Sequence, residues 1–210
     1  MHRLFSAFAV VVLLAALHPA LSAQARPDAL KSYNEGRFDE ARAICLAEIE
    51  ANPRNIDSYV VLGWSLIALG RHADAELYLT RAYETVRRDH RVMQSLGEAS
   101  YFLGKNEAAL SWFRLYVSTV PEGARVAQSY YYMGETYLRL ERYEHADIAF
   151  AAALHHTPAN ARWWARLGYA RERKSDWTWA LAAYDEALKL NPRLQEAIDG
   201  KLRVSERLRR

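Results

Sequence analysis

Seven histidines, one cysteine and a set of aspartates and glutamates are the groups in this 210-residue chain that could do chemistry. Their spacing leaves them little to do. His155 and His156 form the only histidine cluster. Neighbours on a helix point about 100° apart, so a metal ion there would need ligands brought from elsewhere, and a solvated pair near a helix end is the simpler reading. Cys45 is the single thiol, so an internal disulfide is impossible. It stands in a slot filled elsewhere by Leu79, Phe113, Phe150 and Tyr184, which reads as packing rather than reactivity. Asp39-Glu40 and Asp185-Glu186 fall beside turns or on outer helix faces and read as solvation. The sequence has no glycine-rich phosphate loop, His-Glu-x-x-His pair, paired cysteines or serine-nucleophile elbow. Catalysis, a metal and a cofactor are all without a foothold, and the expectation is a non-enzymatic binding protein.

The elements that carry these residues repeat with a period of 34. A small residue is followed seven positions on by a turn residue, five further by Ala and four further by a large apolar residue. The copies are Gly63, Gly70, Ala75, Leu79; Gly97, Gly104, Ala109, Phe113; Gly134, Glu141, Ala146, Phe150; and Gly168, Ser175, Ala180, Tyr184, with an opening copy at Ala29, Gly36, Ala41, Cys45. A fixed period of this size marks a stack of small like units. Apolar residues at intervals of three and four make each unit two helices, and Pro53, Pro121, Pro158 and Pro192 punctuate the unit ends. The expected units are 26–55, 56–89, 90–126, 127–160 and 161–192. Three extra residues near Pro121-Glu122-Gly123-Ala124 lengthen one joint. The conserved-spacing glycines are expected where two helices approach closely, with Ala75, Ala109, Ala146 and Ala180 facing them. Residues 193–210 read as an amphipathic capping helix, its basic end favourable at a helix C-terminus.

This pattern resembles the tetratricopeptide repeat family, whose unit carries Trp-x2-Leu-Gly-x2-Tyr on its first helix and Ala-x3-Phe-x2-Ala, then Pro, on its second. Trp164-x2-Leu167-Gly168 and Tyr130-x2-Met133-Gly134-x2-Tyr137 match the first half; Ala146-x3-Phe150-x2-Ala153 with Pro158, and Ala180-x3-Tyr184-x2-Ala187 with Pro192, match the second. The resemblance implies an all-α, right-handed solenoid of about five helix-turn-helix repeats, lined on its concave side by the first helices, where the family binds peptides. The residues placed near that face are Tyr33, Val60, Trp64, Ile67, Arg91, Gln94, Glu98, Tyr101, Gln128, Tyr131, Glu135, Leu138, Arg162, Tyr169 and Glu172. Some of these aromatics could instead be core; Trp64 and Tyr131 are the preferred contact residues because others already occupy their units' packing slots. The chaperone-binding branch of the family clamps a terminal carboxylate with Lys and Asn. Those slots hold Val60, Trp64, Gln94 and Glu98 here, so that clamp is missing.

Met1 to Arg3 precedes an apolar run from Leu4 to Leu17, then Pro19 and Ala23-Gln24-Ala25. This reads as a signal peptide over 1–25, cleaved after Ala25, because the run is shorter than the about 20 apolar residues of a membrane span; an uncleaved anchor is the alternative. Both place the repeats outside the cytoplasm, with a bacterial periplasm preferred because no Asn-x-Ser/Thr sequon occurs and because exported modules of this kind resemble bacterial envelope proteins. The net charge of +3 is too small to imply nucleic acid, and membrane contact is expected only at the periphery or through a retained leader. The leading expectation is a scaffold that binds a protein or peptide in the groove and serves an envelope complex. The alternatives are an accessory subunit of a transport or cell-wall enzyme, and a carrier of an apolar or aromatic small ligand held by Trp64, Tyr101, Tyr131 and Tyr169.

Overall fold

The computed structural model describes residues 28–86 and 88–210, so the expected signal peptide and its cleavage point lie outside the described residues. Among the described residues the chain forms eleven helices and no strand: α1 (Ala29–Asn34), α2 (Phe38–Ala51), α3 (Ile56–Ala68), α4 (His72–Thr85), α5 (His90–Phe102), α6 (Asn106–Thr119), α7 (Val126–Arg139), α8 (Tyr143–His156), α9 (Ala161–Arg173), α10 (Trp177–Leu190) and α11 (Gln195–Leu208). None is long and apolar enough to cross a membrane.

Each turn inside a unit is made the same way. The turn residue takes a left-handed conformation, with φ of 77° at Gly36 and 72° at both Gly70 and Gly104. Glu141 and Ser175 are forced into the same region, at 55° and 63°, where a side chain is disfavoured. At the second unit the Gly70 N–H donates to the Ile67 carbonyl and the Arg71 N–H to the Leu66 carbonyl, at 3.0 and 2.8 Å. This pair of bonds closes the helix end and starts the next helix antiparallel to it. The same pair recurs after α1, α5, α7 and α9. Side chains of Asp89 and Asn160 cap the N-termini of α5 and α9 by accepting from main-chain N–H groups.

The packing at the repeat glycines differs from the sequence expectation. The group facing each glycine is the large apolar residue of the second helix, not the alanine. A Cβ on Gly63 would stand 2.6 Å from Leu79, on Gly97 2.5 Å from Phe113, on Gly134 2.7 Å from Phe150 and on Gly168 2.8 Å from Tyr184. The missing side chain makes a seat for a ring or branched chain, while the alanines, all fully buried, let the second helix lie close at a different point. Cys45 fills the corresponding slot of the opening unit. It is fully buried, and burial pushes its thiol up to about 12, which agrees with packing rather than reactivity.

Successive units stack into a right-handed solenoid. Each second helix packs on the first helix of the next unit, and the first helices also pack on one another, α1 on α3, α3 on α5, α5 on α7 and α9 on α11. Among the described residues the second helices make no comparable contact with one another. A stack whose first helices are closer than its second helices must curve with the first helices inside. Helix α11 closes the end, burying Ala197, Gly200 and Val204, but Leu202 and Leu208 face outward and are exposed, so the cap's outer face is less polar than expected.

Candidate binding groove

The concave wall is built from residues that project from α1, α3, α5, α7 and α9, with α11 at one end. At the other end a pocket of about 710 Å³ is lined by Asp28, Ala29 and Leu30, by Asn55, Asp57, Ser58, Val60, Val61 and Trp64, and by Glu48 and Arg91. Arg91 is fixed there by hydrogen bonds to Asp57 at 2.8 Å and to Asp89. Burial pushes the Asp89 carboxyl up, yet the bonds from Arg91 outweigh it and hold it below the ordinary carboxylate value.

Trp64 is half-buried, its indole N–H donating to Ser95 Oγ at 3.0 Å. Its ring lies 5.7 Å from Tyr33 on one side and 5.7 Å from the Arg125 guanidinium on another. Beside it, Gln94 and Glu98 are joined by a 2.8 Å hydrogen bond from Nε2 to the carboxylate. Arg125 stands 3.8 Å from Glu98 and donates to Gln128 at 3.3 Å. Burial raises the Glu98 carboxyl above its usual range, and the Gln94 bond and the Arg125 charge only partly offset it.

Further along, Tyr101 packs under Arg139, whose guanidinium lies 3.8 Å from the ring centre, and against Tyr132. Tyr131 stacks on Trp163 at 5.1 Å, and burial pushes its hydroxyl up. These two rings join Arg162 and Leu194 around a pocket of about 500 Å³. Glu135 takes two hydrogen bonds from Arg166, at 2.5 and 2.8 Å. Glu172 takes two from Arg203, at 2.7 and 2.9 Å, and one from the Tyr184 hydroxyl. Burial acts to raise Glu172, but these three bonds outweigh it and hold it low. Tyr169 lies under Arg166.

The structure thus divides the fifteen expected groove residues. Val60, Gln94, Glu98 and Tyr101 are buried within the wall. Tyr33, Trp64, Ile67, Arg91, Gln128, Tyr131, Glu135, Leu138, Tyr169 and Glu172 are half-buried, and Arg162 is exposed. Trp64 and Tyr131 therefore do not stand free of the packing as the sequence reading expected: each is locked by a neighbouring unit. Ile67 and Leu138 pack against the core clusters of the two halves. Sequence reasoning missed the arginines 125, 166 and 203 and the aromatics Tyr132 and Trp163. A signal for two of them was available, since Glu135–Arg166 and Glu172–Arg203 share a separation of 31. Among the described residues no group of three or more His, Cys, Asp or Glu side chains could hold a metal ion.

A family model for the tetratricopeptide repeat matches residues 60–124 and 131–198, more than half of the chain. Among curated proteins, the BBSome complex member BBS4 homolog of Drosophila melanogaster is 27% identical over 135 residues, covering 60% of this chain and 28% of the relative. The chain thus spans less than a third of that protein's length. Among solved structures, MamA superposes with a TM-score of 0.69 at 21% identity, over 78% of this chain and 88% of the other. YrrB, described as a tetratricopeptide repeat protein with an unusual peptide-binding site, superposes with a TM-score of 0.69 at 17% identity, over 82% and 88%. At these identities the structural likeness concerns the fold.

Proposed function

Because this chain belongs to the tetratricopeptide repeat family, we propose that it is an exported, non-enzymatic scaffold whose concave face binds an extended segment of a protein partner. Family membership carries the coarser statement, a protein-interaction scaffold. The finer reading places it in a bacterial periplasm, in the assembly or maintenance of an envelope complex, and rests on the leader-like residues 1–25. The observation that carries the groove is the open pocket beside Trp64, where apolar Val60 and Val61 meet Asp57, Ser58 and Arg91. An apolar floor rimmed by a few fixed polar groups suits a peptide.

Hydrogen exchange on the protein with its native partner tests this. Protection is expected on α3, α5 and α7 and not on α4, α6 and α8; protection confined to the second helices refutes the groove. Charge reversal at the exposed Arg162 should weaken the partner at least tenfold while melting stays within about 0.5 kcal/mol, the range of surface changes. N-terminal sequencing of the protein from its native cell, expected to begin at Arg26, tests export.

A further inference from the structure

Four carboxylates of the concave wall face an arginine from further along the chain: Asp57, which is exposed, and Glu98, Glu135 and Glu172, which are largely withdrawn from water, and one of these last three is under-served. Glu135 and Glu172 each take two hydrogen bonds from their arginine. Glu98 is the most buried of the three, its side chain 8% exposed against 14% and 13%. Yet Arg125 stays at 3.8 Å from it, outside hydrogen-bond distance. Among the described residues its one donor is the Gln94 amide. The Gln94 side-chain oxygen next to it is buried and has no donor among the described residues. Buried acceptors left short of donors are unfavourable, and a cation already sits beside Glu98.

That cation is held by a set of groups that converge on one plane-shaped charge. The Arg125 guanidinium lies near the Glu98 carboxylate, donates to Gln128 Oε1 at 3.3 Å and stands 5.7 Å from the centre of the Trp64 ring. A carboxylate, an amide oxygen and an indole face are together what a guanidinium prefers, more than an ammonium does. Arg125 comes from the lengthened joint before α7, and its side chain is 38% exposed. Its main chain is anchored separately, the N–H donating to Tyr116 Oη at 3.3 Å and the carbonyl accepting from the Ser129 N–H at 2.9 Å. The side chain can therefore leave while the joint stays in place.

We propose that Trp64, Glu98 and Gln128, with the Gln94 oxygen beside them, form a receptor for an arginine side chain of the bound polypeptide, and that Arg125 occupies it as an internal stand-in when the groove is empty. This rests on the groove reading and adds a sequence requirement to it. An incoming arginine that closes to hydrogen-bond distance on Glu98 supplies the donors that Arg125 cannot reach, and charge-assisted bonds are the stronger kind. Arg125 then swings into water, where its charge is well solvated.

A dye-labelled nonapeptide of alanine and serine with one central arginine, and its twin with citrulline in place of arginine, titrated against the full chain by fluorescence anisotropy, test the receptor. The arginine peptide should bind about tenfold more tightly than its twin, the scale of one such charged contact. Arg125→Ala should tighten the arginine peptide about threefold to tenfold by removing its competitor. Glu98→Gln should bring the arginine peptide down to the citrulline level, with a melting curve recorded beside it. Equal binding of the two peptides by the wild-type chain, no binding of either, or weaker binding by Arg125→Ala overturns the proposal, and the first two need no variant to fold. A native partner that still protects α3, α5 and α7 in Glu98→Gln, with unchanged affinity, removes the arginine receptor and leaves the groove standing.

Discussion

At the seam between the fifth unit and α11, Glu172 accepts from Nε and Nη2 of Arg203 and from the Tyr184 hydroxyl, and its pKa is held low. At the seam between the third and fourth units, Glu98 is withdrawn from water to a similar degree but has Arg125 only at 3.8 Å, and its pKa is raised. The cause lies in the spacing of the chain. Arg166 stands two residues before the glycine of its unit and meets Glu135 squarely; the same slot in the fourth unit holds Tyr132. The three extra residues of the joint bring Arg125 in from the side instead. A regular seam thus uses its charges for cohesion, while the irregular seam leaves acceptors open to another chain.

Breaking the cohesive seam should give the largest effect. A side chain on Gly200 would overlap the Tyr184 ring and its hydroxyl, so Gly200→Leu should cost about 2–3 kcal/mol in thermal or denaturant unfolding. Wild-type stability in this variant would mean that α11 does not seat on Tyr184. Gly134→Leu crowds the Phe150 seat and should lose about as much.

The carboxylates should then separate the two seams. Glu172→Ala strands Arg203 and the Tyr184 hydroxyl and should cost about 2 kcal/mol, less than a fully buried pair because Arg203 is half exposed. Glu98→Gln should change stability by less than about 0.5 kcal/mol at neutral pH, since the lost charge was poorly paired. Similar losses in both variants would erase the contrast.

Titration sharpens it further. Glu172 is held below its ordinary 4.5, so it contributes stability above that pH which is lost as pH falls through its lower folded value. Glu98 is raised above 4.5, so the native state holds its proton longer, and stability is lost as pH rises from 4.5 through the folded value. Melting differences between wild type and Glu172→Gln should therefore grow with pH from acid to neutral. Those for Glu98→Gln should move in the opposite sense, and parallel trends would count against the two environments described.

A small effect of the opposite sign concerns the turns. Ser175 has a left-handed φ of 63° where three other units use glycine. Ser175→Gly removes a side-chain clash and adds chain entropy, for a net gain of about 0.5 kcal/mol. A loss of stability would show that the Ser175 side chain contributes something the turn geometry does not.

What was legible in the sequence was everything local or periodic. The turns at Gly36, Gly70 and Gly104, the prolines in the joints and the 3.6-residue apolar pattern of each helix depend on a few neighbouring residues, and the period of 34 carries them from unit to unit. The small residue of each copy marked a close helix contact, although the partner was misplaced by four residues, from Ala146 to Phe150 in the fourth unit. That error has a physical root. Both residues lie on the same face of α8 one turn apart, and only the crossing of the two helices decides which of them meets Gly134.

The groove was legible as a row of positions and not as an environment. Sequence spacing put Trp64, Glu98, Tyr131 and Glu172 on first helices, because helical geometry alone orients them. Whether each is presented or locked depends on residues about one or two repeats away: Ser95 and Arg125 for Trp64, Trp163 for Tyr131, Arg203 for Glu172. Such pairs arise from how far one unit rotates on the next, a quantity set by the summed packing at each interface and altered by three residues in one joint. The sequence by itself determined the unit, its turns and the order of the stack; the tertiary structure alone decided which carboxylates are satisfied, because that rests on distances of an ångström between side chains that the chain brings together only when it is stacked.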